Sequence, residues 1–333
     1  MLDRRDVPLA PLTTLGLGGL AERLVTAYDE AELLDVVRRK AAPLLVLGGG
    51  SNVVLPDEGL AGTTLQVATT GVTMSTEGEA VLVQAQAGEP WDALVTRAVD
   101  QGLAGVECLA GIPGLVGATP IQNVGAYGQE VAQTIVAVRA YDRATDEVTT
   151  LTDCGFGYRW SRFKAEPTRW VVLEVTYRLR RDALADPVRA GDLATAIGAE
   201  RAPLAQVRDA VLALRRRKGM VLDPGDPDSR SAGSFFTNPV VAPEQAVAGA
   251  PAFPQADGTV KLSAAWLIEQ AGFAKGSFDG PVGLSTKHTL AIVHRGGGTT
   301  ADLLRVARTI RDGVRDRFGI TLEPEPVLVG TTL

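Results

Sequence analysis

Gly102–Val131 reads GLAGVECLAGIPGLVGATPIQNVGAYGQEV, and its glycines at 102, 105, 111, 114, 117, 125 and 128 decide how the chain is understood. So little side-chain volume cannot fill an ordinary core. Glycine at this density supplies positive φ or lets backbone approach another body closely. Working outward, a second run, Leu47-Gly48-Gly49-Gly50-Ser51-Asn52, follows the short apolar stretch Leu44–Leu47. Two such loops in one chain point to a long, anionic ligand held mostly by backbone N–H groups.

Composition narrows the class. The 333 residues suffice for two or three domains, and a net charge of −6 argues against a nucleic-acid surface as the main business of the molecule. No run approaches the roughly 18 apolar residues of a membrane span, so no membrane insertion is expected. The N-terminal MLDRRDVPLAPL carries charge without an apolar h-region, which predicts a cytoplasmic protein. Cys108 and Cys154 form no CxxC pair, and His288 and His294 are the only histidines, so no metal site is expected. Redox chemistry would therefore rest on an organic cofactor.

Local patterns place the elements. Asp29, with Glu32 three residues on, predicts a helix N-terminus whose apolar face holds Leu33, Leu34 and Val37. Short strands are predicted at Leu44–Leu47, Val53–Leu55 and Thr63–Val67, and Val81 opens an alternating run. Pro90 sits near the start of a helix ending at Gly102. Strands are predicted at Thr134–Tyr141, Glu147–Leu151 and Trp170–Leu179, the last alternating clearly through Val171, Leu173, Val175, Tyr177 and Leu179. A helix over Pro203–Lys218 ends in Arg215-Arg216-Arg217, read as cations complementing the helix C-terminus. A Pro/Gly/Asp-rich linker, residues 219–233, leads to a further domain with a helix at Ala264–Ala271 and a strand at Leu290–His294. The last helix starts at Thr299-Thr300 with Asp302 as capping partner, carries Leu303, Ala307, Ile310 and Val314, and stops at Gly319.

Gly16-Leu17-Gly18-Gly19-Leu20-Ala21 matches a dinucleotide fingerprint by letter, but PLAPLTT before it is no buried strand, so a plain turn is expected. Gly155-Phe156-Gly157-Tyr158-Arg159-Trp160-Ser161-Arg162-Phe163-Lys164 sets an arginine among aromatics, where its fork is presented to a carboxylate or simply stacked on a ring. Gly233-Ser234-Phe235-Phe236 puts one hydroxyl between a small-residue turn and two rings; with no G-x-S-x-G elbow, Ser234 reads as a proton relay or a structural cap. Glu325 lies on stiff backbone between Pro324 and Pro326. His294-Arg295-Gly296-Gly297-Gly298 reads as a strand-to-helix turn.

In this order TLGLGG, LGGGSNVVLPD, the Gly102–Val131 run, GYRWSRFK, AGSFFTNPVV, AAWLIEQAGFAKG, LSTKHTLAIV and LEPE resemble the UDP-N-acetylenolpyruvoylglucosamine reductase (MurB) family, type I-like, nearly end to end. The resemblance implies an α+β fold. Its FAD-binding domain is of the vanillyl-alcohol-oxidase/PCMH type in two subdomains, 1–68 with 317–333 and 69–218. A separate α+β substrate-binding domain would span 219–316. The FAD is implied to be non-covalent, which suits a chain whose histidines both lie beyond residue 280; Cys108 reads as a small core residue. NADPH is implied to reduce the flavin, which then reduces the enolpyruvyl ether of UDP-N-acetylglucosamine to UDP-N-acetylmuramate for peptidoglycan synthesis. No protein partner is implied, and a monomer is expected.

Matched motifs carry the family's roles onto this chain. Arg159 and Glu325 would stabilise the enolate, and Ser234 would deliver the proton. FAD would be held by Gly48, Gly49, Gly50, Ser51, Asn52, Gly111, Ile112, Gly114, Thr119, Gln122, Asn123 and Gly125. Lys218 matches a substrate-contacting lysine, with Tyr127, Tyr158, Asn238 and His288 as further substrate contacts. The chain departs from the pattern at Ala190, where the type I branch has a loop tyrosine, and at Val327, where a basic residue often follows the glutamate.

Overall fold

The computed structural model describes residues 1–40, 42–188 and 191–333, so the expectation attached to Ala190 lies outside the described residues. The chain divides into two compact units: residues 1–7, 21–49 and 61–217, and residues 8–20, 50–60 and 218–333. Both mix helices with mainly antiparallel strands, the α+β class expected.

The first unit holds two sheets. One runs in the order Leu2–Pro8, Leu20–Ala27, Leu60–Val67, Leu44–Leu47, with the last pair parallel. The helix Glu30–Arg38 starts where Asp29 accepts a hydrogen bond from the Glu32 N–H, and it buries Leu33, Leu34, Val36 and Val37. The other sheet runs Glu147–Leu151, Ile135–Asp142, Trp170–Arg181, Ala80–Gln86, Val72–Glu77, and Leu103–Ala104 adds to Trp170–Arg181. Val171, Leu173, Val175, Tyr177 and Leu179 are all buried, as their alternation predicts. On this sheet lies the helix Trp91–Asp100, with the Trp91 ring 5.7 Å from that of Tyr177.

That helix anchors the glycine-rich segment. Trp91 N–H donates to the Gly114 carbonyl (3.0 Å), its indole N–H to Leu109 (3.1 Å), and Gly111 N–H donates to Asp92 Oδ1 (2.6 Å). Polar bonds to one helix end thus hold the segment together with its few large apolar side chains, of which Leu103, Val106, Leu109, Val116 and Val131 are buried. Besides the 3-10 turns Glu107–Leu109 and Val116–Ala118 it contains one short α-helix, Thr119–Gln122, stopped by Asn123 in the left-handed conformation.

The second unit is built on the helix Thr300–Phe318, capped by Thr299 and Asp302 and ended by Gly319 at φ 69°. It buries Leu303, Ala307, Ile310 and Val314 against Phe235, Phe236, Leu262, Leu267, Ile268 and Ile292. Fully burying side chains of this size contributes about 1.5–3 kcal/mol each. Around this core stand a small sheet (Val240–Val241, Val260–Leu262, Ala252–Pro254), the pair Val282–Leu284 with Ile292–His294, and Val327–Leu328 lying parallel to Val53–Val54. After Gly16-Leu17-Gly18-Gly19 comes the strand Leu20–Ala27 instead of a helix, so the dinucleotide-fingerprint reading fails on context. His294 is structural: its Nε2 accepts from the Gly298 N–H (3.1 Å), which leaves Nδ1 to donate to the Leu15 carbonyl (3.0 Å).

The 219–233 segment is firmly tied. Asp228, buried, accepts from Ser285 Oγ (3.0 Å), Thr286 N–H (2.9 Å) and Thr286 Oγ1 (2.6 Å), and Lys287 reaches Asp226 at 2.7 Å. Among the described residues no helix is long and apolar enough to cross a membrane, and no cluster of His, Cys, Asp or Glu is placed to hold a metal.

Candidate active site

In the first unit the two glycine runs meet. A Cβ on Gly49 would lie 3.0 Å from the Cα of Gly114, and Gly111 and Gly114 have φ of 70° and 123°. Bare backbone facing bare backbone is the surface that a dinucleotide's phosphates need for N–H groups to approach. The residues present therefore suit a flavin nucleotide. Thr119 is committed differently. Its hydroxyl donates to the Val116 carbonyl (2.8 Å) and accepts from Tyr177 OH (2.6 Å), both in the core.

Beside this cradle the backbone is strained. Asn123 (φ 44°), Tyr127 (φ 52°) and Arg159 (φ 52°) all occupy the left-handed region. Such residues cost roughly 1–3 kcal/mol each and persist only where their surroundings over-determine them. Tyr127 and Gly128 (φ 85°) form the two-residue turn of a hairpin in which Ala126 pairs with Gln129, a type I′ turn that favours Asn or Gly. Tyr158 and Arg159 fill a second turn, closed by Gly157 N–H to Trp160 O (3.0 Å) and Trp160 N–H to Gly157 O (3.1 Å). Arg159 thus stands where a turn normally prefers glycine.

The turn presents a fixed guanidinium. Arg159 Nη2 donates to the Gly125 carbonyl (2.7 Å) and Nη1 to that of Asn123 (3.4 Å), with the Tyr158 ring 5.4 Å away. Lys164 Nζ donates to the Arg159 carbonyl and to Gln122 Oε1, both at 3.1 Å. Gly125 must be small, since a Cβ there would lie 3.0 Å from Arg159 Nη1. A planar fork held this way is suited to a carboxylate and to charge developing on it.

In the second unit, Ser234 and Glu325 are brought together by strand pairing. Phe236 bridges Pro324, Glu325 N–H donates to Phe235 O (2.8 Å), and Thr237 N–H to Glu323 O (3.0 Å). Phe235 and Phe236 are buried with their rings edge to face at 5.1 Å, and Phe235 N–H donates to Leu290 O (2.7 Å). Ser234 and Glu325 are half-buried at the edge of this apolar block. Asn52 joins them: its Nδ2 donates to the Glu325 carbonyl (3.4 Å) and its own carbonyl accepts from Val327 N–H (3.0 Å). Asn238 Oδ1 accepts from Ala264 N–H (2.9 Å) at the start of the helix Ala264–Gln270. His288 lies in the turn after Thr286, its N–H on Ser285 Oγ (3.2 Å), and Lys218 opens this unit directly after the helix Leu204–Arg217.

Two family models match the chain: an FAD binding domain over residues 21–152, and the UDP-N-acetylenolpyruvoylglucosamine reductase C-terminal domain over 226–329. The reductase of that name from Thermobifida fusca is 55% identical over 99% of this chain and 98% of its own length. Its counterpart from Cutibacterium acnes is 54% identical over 98% of this chain and 90% of its own. The crystal structure of the Thermus caldophilus reductase superposes with a TM-score of 0.69 at 27% identity, covering 98% of this chain and 99% of that one. The chain belongs to the UDP-N-acetylenolpyruvoylglucosamine reductase family. Its mixed helix-and-strand fold combines an FAD binding domain with the reductase C-terminal domain.

One residue was misread in the sequence and two went unnoticed. Arg215 is buried, not a solvated cation at a helix end; burial pulls its guanidinium down from the usual range, with Tyr127 and Asp92 acting the other way. The signal was present: Val207, Val211 and Arg215 recur at i+4 on the apolar face. Glu107, fully buried, accepts from Gly105 N–H (2.7 Å) and Gln129 Nε2 (3.0 Å), which ties the base of the Tyr127 hairpin. Asp228 fixes the 219–233 segment and carries no motif of its own. Cys108 is a core residue, its thiol pushed up to about 12 by burial and then by Glu107, so it is no thiolate for a flavin bond.

Proposed function

We propose that the chain is an NADPH-dependent flavoenzyme that reduces UDP-N-acetylglucosamine enolpyruvate to UDP-N-acetylmuramate. The observation that carries this reading is 55% identity to a reductase of that name across 99% of the chain. FAD, when bound, supplies the hydride that NADPH provides and the substrate's terminal alkene carbon receives. Gly48, Gly49, Gly50, Ser51, Asn52, Gly111, Ile112, Gly114, Gln122 and Gly125 are the proposed holders of that group, mainly through backbone, whereas the side chains of Thr119 and Asn123 are already bonded within the protein.

The protein's own chemistry follows from charge. As hydride arrives, negative charge develops on the substrate carboxylate as an enolate. Arg159 holds that carboxylate with its fork, already fixed on two carbonyls, so little reorganisation accompanies the charge. Ser234 gives its hydroxyl proton to the ether-bearing carbon. Its ordinary acidity is low, so it acts as one link of a relay in which Glu325 assists. Lys218, Tyr127, Tyr158, Asn238 and His288 contact the nucleotide-sugar. Residues 1–68 with 317–333 and 69–218 form the FAD-binding subdomains of this proposal, and 219–316 the substrate domain. The protein works as a cytoplasmic monomer.

The test is the absorption spectrum of the purified protein. A flavin band should bleach on adding NADPH and return on adding the enolpyruvyl nucleotide without oxygen. A colourless protein, or a band that only oxygen restores, overturns the reading.

A further inference from the structure

We propose that Asn123 acts as a positioning residue for Arg159, clamping the turn that presents the guanidinium, and that its side chain serves this clamp instead of the cofactor. This rests on the reading of Arg159 as the substrate-carboxylate residue. The side chain is 1% exposed, and its amide is spent on protein. Nδ2 donates to the Gly157 carbonyl (2.8 Å) and to Glu130 Oε2 (3.0 Å), while Oδ1 accepts from Ala132 N–H (3.2 Å).

These bonds tie Asn123 to two stretches, the end of the Tyr127 hairpin and the Arg159 turn. Gly157 begins the Arg159 turn, Glu130 closes the Tyr127 hairpin, and Ala132 follows that hairpin. The backbone of Asn123 acts on the same group from the other side, because its carbonyl accepts from Arg159 Nη1 (3.4 Å). One residue therefore holds both the start of the turn and the end of the side chain it presents. Its φ of 44° aims carbonyl and amide at these partners, and asparagine is the side chain that tolerates this conformation while donating two hydrogen bonds. Glu130 is held over Gly125, where a Cβ would lie 2.7 Å from its Cγ, so the clamp also fixes the carbonyl that Arg159 Nη2 uses.

Asn123→Gly separates backbone from side chain, since glycine adopts the left-handed conformation freely. The variant should retain FAD and bleach with NADPH at the wild-type rate. Reoxidation by the enolpyruvyl nucleotide should slow by about a hundredfold, the cost of misplacing a catalytic group by roughly 1 Å. Combined with Arg159→Lys it should be no slower than Arg159→Lys alone, because both remove one function. Amide hydrogen exchange at Gly157 and Trp160 of the holoenzyme should quicken, a readout independent of turnover. Should Asn123→Gly not accumulate, Asn123→Asp keeps the shape but cannot donate to Gly157. Wild-type reoxidation in either variant, penalties that multiply in the double variant, or loss of FAD with both half-reactions slowed together would each overturn the clamp. If the wild-type enzyme itself fails to bleach or recover, the proposed activity falls, while the exchange measurement still judges the clamp.

Discussion

Around Arg159 the first unit spends strained backbone and side-chain hydrogen bonds: φ of 52°, two carbonyls under the guanidinium, and a lysine on its own carbonyl. Around Ser234 the second unit uses ordinary strand pairing over two buried rings, with positive φ only at the preceding Gly233. The difference follows from the side chains. A serine hydroxyl lies one bond beyond Cβ, so once the backbone is fixed only the χ1 rotamer is left to set its place. A guanidinium sits at the end of a flexible stem and needs partners along its length, because fixing so many rotamers costs up to about 2 kcal/mol of entropy. The long charged group is placed by its neighbours and the short neutral one by the main chain.

Breaking each region should therefore leave different marks. Ser234→Ala removes a proton donor without disturbing the strand pairing. It should leave NADPH-driven bleaching nearly intact and slow reoxidation by the nucleotide by roughly 10²–10⁴, the usual loss for an acid. Stopped-flow absorbance of the two half-reactions measures this, and equal damage to both would reject the donor role. Arg159→Lys should slow the same step by about 10², since an ammonium keeps the charge and loses the fork. A wild-type turnover number in Arg159→Lys would show that charge alone suffices and that the constraints around this turn serve something else.

Gly125→Ala sharpens the comparison without touching a reacting group. A Cβ there meets Glu130 Cγ at 2.7 Å and, at 3.0 Å, both Arg159 Nη1 and the Gln129 carbonyl oxygen, so the two side chains must give way because the backbone yields less readily. The expected outcome is reoxidation slowed by about tenfold, as befits a sub-ångström shift of a positioned group. Gly233→Ala meets nothing within 4 Å but keeps φ at 73°, so its penalty is a backbone one of about 1–2 kcal/mol. Thermal melting and single-turnover rates of the pair should part along that line. If Gly125→Ala lost only stability, the guanidinium would not be held as tightly as its contacts imply.

How far the sequence foretold this differs by region for the same reason. The second unit's last helix was legible because capping and periodicity are local: Thr299, Asp302 and Gly319 mark its ends, and Leu303, Ala307, Ile310 and Val314 its buried face. The strand at Trp170–Arg181 was legible by alternation. The strand Leu2–Pro8 was not, since it forms a sheet edge with mostly exposed side chains and shows no apolar pattern. The Arg159 turn was legible as a motif but not as a mechanism. Nothing in GYRWSRFK says that the arginine is left-handed, or that Asn123 and Gly125, more than thirty residues earlier, supply its carbonyls. Arg215 was misread because a run of cations after a helix normally faces water, and only its spacing from Val211 told otherwise.

The smallest expected effect concerns charge in the two regions. Asp142 in the first unit is buried and accepts from Arg169 Nη2 (2.7 Å), Arg169 Nε (3.0 Å) and Ala144 N–H (2.9 Å). Hydrogen bonding from Arg169 chiefly holds its carboxyl below the usual 3.8. Asp302 in the second unit, on the more exposed cap of the last helix, is lowered chiefly by Arg305. For both groups the unfolded chain binds its proton at higher pH than the folded one. Their stabilisation is thus complete above the unfolded value and is lost as pH falls through the lowered folded value. Asp142→Asn should flatten the acid limb of Tm against pH below about 4, and Asp302→Asn should do so less. Added salt separates them further, because it screens exposed pairs and reaches buried ones poorly. Near 1 M salt, where the screening length is about 3 Å, the Asp302 variant should melt like wild type and the Asp142 variant should not. Equal salt sensitivity would mean that the two units do not differ in how they use charge, and the contrast would then rest on the guanidinium turn alone.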